Sequence, residues 1–200
     1  MRGSADMEPL AAPQWFHPAR VERVFNDCFA DSCNTQLVGG AAEPFYQPAD
    51  EPGAYHALHY RGDYFASALH EVAHWCIAGA QRRQQVDFGY WYTPEGRSVE
   101  QQCAFETVEY KPQALEWFFA QACAYRFQVS PDNPDLASTG LLDTEVFQYR
   151  VLQQALTWKA VGLPTRAGVF YAALCREFGT AVPADQLSFT LAQLTVWAAR

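Results

Sequence analysis

The stretch ALHEVAHWCIAG, residues 68–79, decides how this chain is interpreted. It places His70 and His74 four positions apart, with Glu71 between them, in a chain that contains only five histidines. Positions four apart on an α-helix share one face and lie about 6 Å apart along the axis. Both imidazoles can therefore reach one metal ion, and the stretch predicts a helix that carries part of a metal site.

Apolar residues around the histidines support this helix. Between positions 65 and 76 they recur at helical spacing, which predicts a face packed into the core. The helix is expected over residues 63–78, with Asp63 as the N-cap and Gly79 as a residue that can end it. The histidines lie beside the apolar stripe, so they are expected to face a cleft.

A catalytic ion needs a third protein ligand and an open coordination position. The best source is FETVE, residues 105–109, in which Glu106 and Glu109 are three apart and share a helix face. One carboxylate is expected to bind the metal and the other to orient a histidine. Asp87 is the alternative third ligand.

Two histidines and one carboxylate suit two different chemistries. With zinc, Glu71 would be the general base that activates water for peptide hydrolysis. With ferrous iron, the same ligands form a facial triad that leaves positions for oxygen and substrate. Because both ions accept imidazole and carboxylate, these residues alone leave the metal and the reaction open.

Composition limits the class of protein. Two hundred residues, 50% of them hydrophobic, predict one domain with a sizeable core. The formal net charge of −8 argues against a nucleic-acid binder with a basic surface, and no apolar run is long enough to span a membrane. The chain is expected to be soluble and cytoplasmic, with no direct nucleic-acid or membrane partner. Its six cysteines lack a CxxC pair and are interpreted as reduced thiols.

The remaining pattern predicts an α+β fold that is mainly α-helical, with a small β element. Residues 1–18 are expected to form a flexible arm and residues 19–200 a single domain. Helices are predicted at 19–29, 63–78, 98–110, 111–125, 143–161, 165–178 and 183–199, and strands at 33–40, 57–60 and 86–92. Residues 41–54 contain three prolines and predict a loop. Pro112 is expected near the start of its helix.

Three longer stretches carry a family resemblance. They are NDCFADSCNTQLVGGAAEPFYQPA (26–49), YFASALHEVAHWCIAGAQRRQQVDFGYWYTPEGR (64–97) and FETVEYKPQALEW (105–117). Together they resemble the bacterial elongation factor P hydroxylase family. The joined run from the histidine helix through VDFGYWY is far more specific than the histidine spacing alone. The resemblance is less clear after residue 132.

The resemblance implies a fold similar to HExxH metalloproteases, with a zincin-like core, and a mononuclear non-haem iron site that uses O2 as co-substrate. Family members hydroxylate the lysine of elongation factor P that already carries a β-lysyl group. On this basis His70, His74 and Glu109 are the metal ligands, and Glu71 steers the substrate ammonium or a proton. The chain would be a metal-dependent monooxygenase whose partner is lysylated elongation factor P. An HExxH zinc metallopeptidase is the alternative.

A lysyl-lysine arm is long and cationic, and an acidic, aromatic cleft would receive it. Tyr90, Trp91 and Tyr92 are candidates to pack against its aliphatic part or its ammonium group, and a buried strand is the competing interpretation of VDFGYWY. Glu106 is a candidate partner for the ammonium group, and Asp87 is a further substrate-binding candidate. The sequence shows no recognisable 2-oxoglutarate-binding pattern, so that co-substrate is not predicted.

Overall fold

The computed structural model describes residues 15–87, 97–131 and 144–196. Within these ranges the chain forms five α-helices, a three-stranded sheet and a two-stranded sheet. The helices are α1 (Pro18–Cys33), α2 (Phe65–Ile77), α3 (Val99–Ala122), α4 (Thr144–Val161) and α5 (Thr165–Phe178). The prediction of a mainly helical α+β chain with a small β element is confirmed.

The three-stranded sheet has the order β1–β3–β2. Strand β1 (Thr35–Ala41) pairs in parallel with β3 (His56–Arg61), and β2 (Phe45–Gln47) pairs antiparallel with β3. The step from α1 into β1 takes a single residue, Asn34, whose φ of 49° is left-handed. Asparagine tolerates this conformation better than most residues, so the sheet follows α1 directly.

Helix α2, which carries both histidines, lies in the core. Four of its side chains have no accessible surface: Ala68, Leu69, Val72 and Ala73. The ring centroid of Trp75 lies 5.0 Å from that of Phe25 and 4.8 Å from that of Phe29, and both phenylalanines are on α1. α2 also contacts α3, α5 and the sheet. Because it is packed on several sides, the direction in which its histidines point is fixed.

Helix α3 is continuous, so the prediction of two helices at 98–110 and 111–125 is wrong. It begins with a capping box at Ser98 and runs through Pro112 to Ala122. A proline removes one backbone hydrogen bond from a helix, but α3 is held by packing against α2, α4 and α5. Because α3 is continuous, Glu106, Glu109 and Glu116 all lie on the same helix.

The prediction of a helix at 183–199 is also wrong. The described part of this segment contains two short 3-10 helices, Ala184–Gln186 and Leu191–Gln193, and strand β5 (Thr195–Val196). Strand β5 pairs in parallel with β4 (Gln128–Val129). The buried residues Leu187 and Phe189 are two positions apart, which is the period of an extended chain rather than a helix.

Two further details differ from the predictions, and a third prediction falls mostly outside the described residues. Strand β2 lies within residues 41–54, which were expected to form only a loop; three residues between two prolines give little periodic signal. The N-cap of α2 is Tyr64 rather than Asp63, and its side chain makes no capping hydrogen bond. Of the strand predicted at 86–92, residues 88–92 lie outside the described residues.

Two other predictions concern the chain as a whole. All six cysteines are free thiols, as predicted. Among the described residues, no helix has the length and the apolar character needed to cross a membrane.

Candidate metal centre

His70 and His74 face Glu109 across the contact between α2 and α3. The Nε2 atoms of the two histidines lie 3.0 Å apart. Glu109 places one carboxylate oxygen 3.2 Å from Nε2 of His74 and the other 3.4 Å from Nε2 of His70. Among the described residues, these three side chains form the group of potential metal ligands that could share one ion. They are called the triad below.

The spacing of these atoms fits a single transition-metal ion. Ligand atoms that lie about 2.0–2.2 Å from an ion are about 3 Å apart when they occupy neighbouring positions around it. All three measured separations are close to that value. In addition, Oε2 of Glu109 is buried without a hydrogen-bond partner, which is unfavourable unless a cation compensates it. Two imidazoles and a carboxylate are a donor set that iron and zinc both accept.

A second carboxylate of α3 contacts the other nitrogen of His70. Oε2 of Glu116 lies 2.8 Å from Nδ1 of that ring. Glu116 follows Glu109 by seven positions, about two helical turns, so both face α2. The sequence predicted that the second member of the Glu106 and Glu109 pair would orient a histidine. In the structure, Glu116 makes this contact instead, and it was not among the predicted site residues.

Glu109 and Glu116 belong to a buried polar stripe along α3. Its members recur every three or four positions: Gln102, Glu106, Glu109, Gln113 and Glu116. Buried polar groups are costly unless they are paired, and each end of the stripe has partners. Near the helix start, the Gln102 amide donates to Glu106 at 3.2 Å and to the Pro131 carbonyl at 3.0 Å.

Gln113 pairs the middle of the stripe with the segment after β4. Its amide donates to the Ser130 carbonyl at 2.7 Å and accepts from the Ser130 N–H at 3.1 Å. Gln113 also helps to lower the pKa of the Glu109 carboxyl group, so its side chain lies close to the carboxylate that faces the two histidines. The signal available in the sequence was the regular spacing of the polar residues themselves.

Opposing influences set the protonation of the site. Burial lowers the pKa of His70, but the hydrogen bond and charge of Glu116 oppose this. Together with the charges of Glu109 and Glu71, they raise the pKa of His70 to about 10. Burial also disfavours ionised Glu109, yet the two imidazoles bring its pKa below the ordinary value. A metal ion must therefore displace a proton from His70, and its binding weakens as the pH falls.

Glu71 is half-buried next to the triad. Burial raises the pKa of its carboxyl group above the ordinary value, and the nearby charges of His70 and His74 reduce that rise. The side chain is thus close enough to the triad to interact with both histidines, while part of it is accessible to solvent.

Asp87 lies apart from the two histidines and Glu109. The Asp87 carboxylate forms an ion pair with Arg82, and its backbone forms a bridge with Tyr46 of β2. The structure therefore does not bring Asp87 into the triad. Tyr90, Trp91 and Tyr92 lie outside the described residues.

Comparison with known proteins identifies the family of this chain. The sequence model of a family described as elongation factor P hydroxylase matches residues 24–189. The chain belongs to the elongation factor P hydroxylase family. A curated relative, the elongation factor P lysine hydroxylase of Haemophilus influenzae, is 45% identical over 157 residues, which are 78% of this chain and 86% of the relative.

Membership in the elongation factor P hydroxylase family confirms the resemblance carried by the three quoted stretches. The match also continues to residue 189, well past residue 132, so it includes α4 and α5 as well as the two helices of the metal centre. The match therefore covers α2 to α5 completely and α1 from residue 24 onward.

Proposed function

We propose that this chain is a metal-dependent hydroxylase that acts on the β-lysylated lysine of translation elongation factor P, in the cytoplasm and without a nucleic-acid or membrane partner. The observation that carries the proposal is the convergence of His70, His74 and Glu109 in a member of the elongation factor P hydroxylase family. We assign these residues as ligands of mononuclear non-haem iron in a zincin-like core, with O2 as co-substrate. A ferrous ion held by two imidazoles and a carboxylate would supply the oxidising chemistry of a monooxygenase, with an external two-electron reductant for the oxygen atom that ends as water.

The charge around the triad supports a cationic substrate. Four carboxylates lie on or beside the facing surfaces of α2 and α3: Glu71, Glu106, Glu109 and Glu116. When all are ionised, a divalent cation leaves the site with surplus negative charge. Such a site attracts the ammonium groups of a lysyl-lysine arm and disfavours acidic side chains.

Two of these carboxylates have substrate roles in the proposal. Glu71 is part-exposed beside the triad, so it is placed to steer the substrate ammonium or a proton. Glu106 lies one turn before Glu109 and is assigned to receive an ammonium group. Tyr90 and Tyr92 are assigned to the aliphatic part of the arm, and Asp87, which precedes their segment, is kept as a substrate-binding candidate with its carboxylate paired to Arg82.

The test is the intact mass of β-lysylated elongation factor P after incubation with the iron-loaded protein in air, with ascorbate as the two-electron reductant that converts the second oxygen atom of O2 to water. We expect the factor to gain one oxygen atom on the lysylated lysine, with no gain under anaerobic conditions or with His74→Ala. His56→Gln is the matched control, because it changes a histidine of β3 and keeps an acceptor for the Ala49 N–H. A gain of oxygen mass without O2, or no gain with the iron-loaded wild-type protein, would contradict the proposal.

A zinc metallopeptidase is the second candidate, and the position of Glu71 favours it. This carboxylate follows His70 directly and interacts with both histidines, as the general base of a zinc-activated water would. The candidate predicts that Glu71→Gln keeps zinc but loses cleavage of a broad set of peptides. Failure of the zinc-loaded wild-type protein to cleave any of them would contradict it.

A further inference from the structure

Glu116 has no role in the proposed reaction, yet it contacts a proposed metal ligand. We propose that Glu116 is a positioning residue that fixes the ring of His70 so that Nε2 faces the ion. This inference rests on the metal site proposed above. It concerns how the site is held rather than which reaction it performs.

The two nitrogens of His70 have separate partners. Nδ1 lies 2.8 Å from the Glu116 carboxylate, whereas Nε2 lies 3.0 Å from Nε2 of His74 and 3.4 Å from Glu109. A carboxylate accepts hydrogen bonds, so the shared proton is donated by Nδ1. The lone pair of Nε2 is then left for the ion, and the hydrogen bond sets the orientation of the ring.

One helix therefore places a carboxylate beside each nitrogen of the His70 ring. Glu109 and Glu116 both lie on α3, seven positions apart, and their side chains are only 3% and 12% exposed. Because α3 is continuous between them, the distance between the two carboxylates is set by helix geometry. A change in the ring angle of His70 would break at least one of these two contacts.

The surroundings of Glu116 strengthen its hydrogen bond. Burial, followed by the charge of Glu116, raises the pKa of Tyr125, so this tyrosine lies near the carboxylate. The ring centroid of Tyr125 lies 5.0 Å from that of Phe65 and 5.1 Å from that of Phe16. These rings reduce the access of water to this end of the site, and a hydrogen bond is stronger where water is excluded.

The test compares metal affinity in three full-length variants. Glu116→Met has a similar volume and no acceptor, Glu116→Gln keeps an acceptor oxygen, and Glu106→Gln removes a buried carboxylate of the same stripe away from His70. The dissociation constants of Zn²⁺ and Co²⁺ are measured by chelator competition. We expect Glu116→Met to lose about 10–100-fold in affinity, Glu116→Gln to lose less, and Glu106→Gln, which removes only a nearby charge, to lose least. The visible spectrum of bound Co²⁺ should change only in the Glu116 variants.

Wild-type affinity and an unchanged Co²⁺ spectrum in folded Glu116→Met would overturn the inference. If that variant fails to fold, Glu116→Gln decides: a loss relative to Glu106→Gln supports the role, and equal affinity contradicts it. If the wild-type protein binds neither ion, the metal site itself is wrong, and both proposals fail. If the ions bind as expected but elongation factor P gains no oxygen, only the proposed reaction fails.

Discussion

Helices α2 and α3 supply one candidate metal centre by different physical means. α2 has 13 residues and presents His70 and His74 from the edge of an apolar helix, where the side chains are 26% and 17% exposed. α3 has 24 residues and presents Glu109 and Glu116 from a buried polar stripe. A part-exposed imidazole keeps some contact with water, whereas a buried carboxylate is costly without a partner. Substitutions of the α3 carboxylates should therefore lower both the stability of the fold and the affinity for metal. Substitutions of the histidines should lower mainly the affinity for metal.

The largest effect is expected for Glu109→Ala. Removing one partner from a buried ionic cluster costs about 3–5 kcal/mol, so the free energy of unfolding of the metal-free protein should fall by this amount. Metal binding should be lost as well. Urea denaturation of the metal-free protein measures the first effect. Glu100→Ala is the control, because Glu100 is exposed in the first turn of the same helix and accepts a hydrogen bond from the Ser98 hydroxyl; it should lower the free energy of unfolding only slightly, and equal curves for the two variants would contradict the comparison.

His74→Ala should separate the site from the fold. Loss of a ligand is expected to weaken Zn²⁺ binding by more than about 100-fold, beyond the loss for an outer partner of a ligand. The free energy of unfolding of the metal-free protein should change by only about 1 kcal/mol. Chelator competition and urea denaturation of the same sample measure the two quantities. A fold as strongly destabilised as that of Glu109→Ala would remove the distinction between the two helices.

Gln113→Ala tests the hydrogen bonds that hold the stripe of α3. The change removes both contacts with the Ser130 backbone, and we expect it to lower the free energy of unfolding by about 1–3 kcal/mol. Gln121→Ala, which loses a single longer bond of 3.3 Å to the Ser188 carbonyl, is the matched control. A larger effect at position 121 than at position 113 would contradict the role assigned to the stripe.

The smallest effect is expected at the end of α2. The Arg166 guanidinium, on α5, donates to the Trp75, Cys76 and Ala78 carbonyls at 2.9, 3.0 and 2.6 Å. Arg166→Lys keeps the charge but loses the planar group, and we expect a loss of about 1 kcal/mol and little change in metal affinity. Thermal melts compared with those of Arg176→Lys, exposed on the same helix, test this; a large loss of Zn²⁺ affinity would show that packing alone does not position α2.

The same contrast explains what could be predicted from the sequence. α2 is amphipathic enough for its apolar period to reveal both the helix and the side of the histidines. α3 is buried along most of its length, so apolar residues lie on several of its faces and conceal its orientation. Pro112 suggests the end of one helix and the start of another, but packing keeps α3 continuous there. Glu116 was missed for this reason. Its signal was the spacing of polar residues, which becomes informative only once α3 is known to be one buried helix.

Other errors have local physical causes. Residues 183–199 contain enough apolar residues to suggest a helix, but the burial of Leu187 and Phe189 follows an extended period. Strand β2 is too short to produce a pattern of its own, and it exists because β3 offers it an edge for pairing. Tertiary contacts decide both cases, and a single sequence does not show them.

Pro112 also affects how α3 transmits motion. Proline has no amide proton, so the hydrogen-bond ladder of the helix lacks one rung there, between Glu109 and Glu116. Two halves of a helix separated in this way can open independently in hydrogen exchange. His70 contacts the carboxylate before the proline and the one after it. The contacts of His70 therefore span the proline, so its ring connects the two halves of α3 independently of the helix backbone.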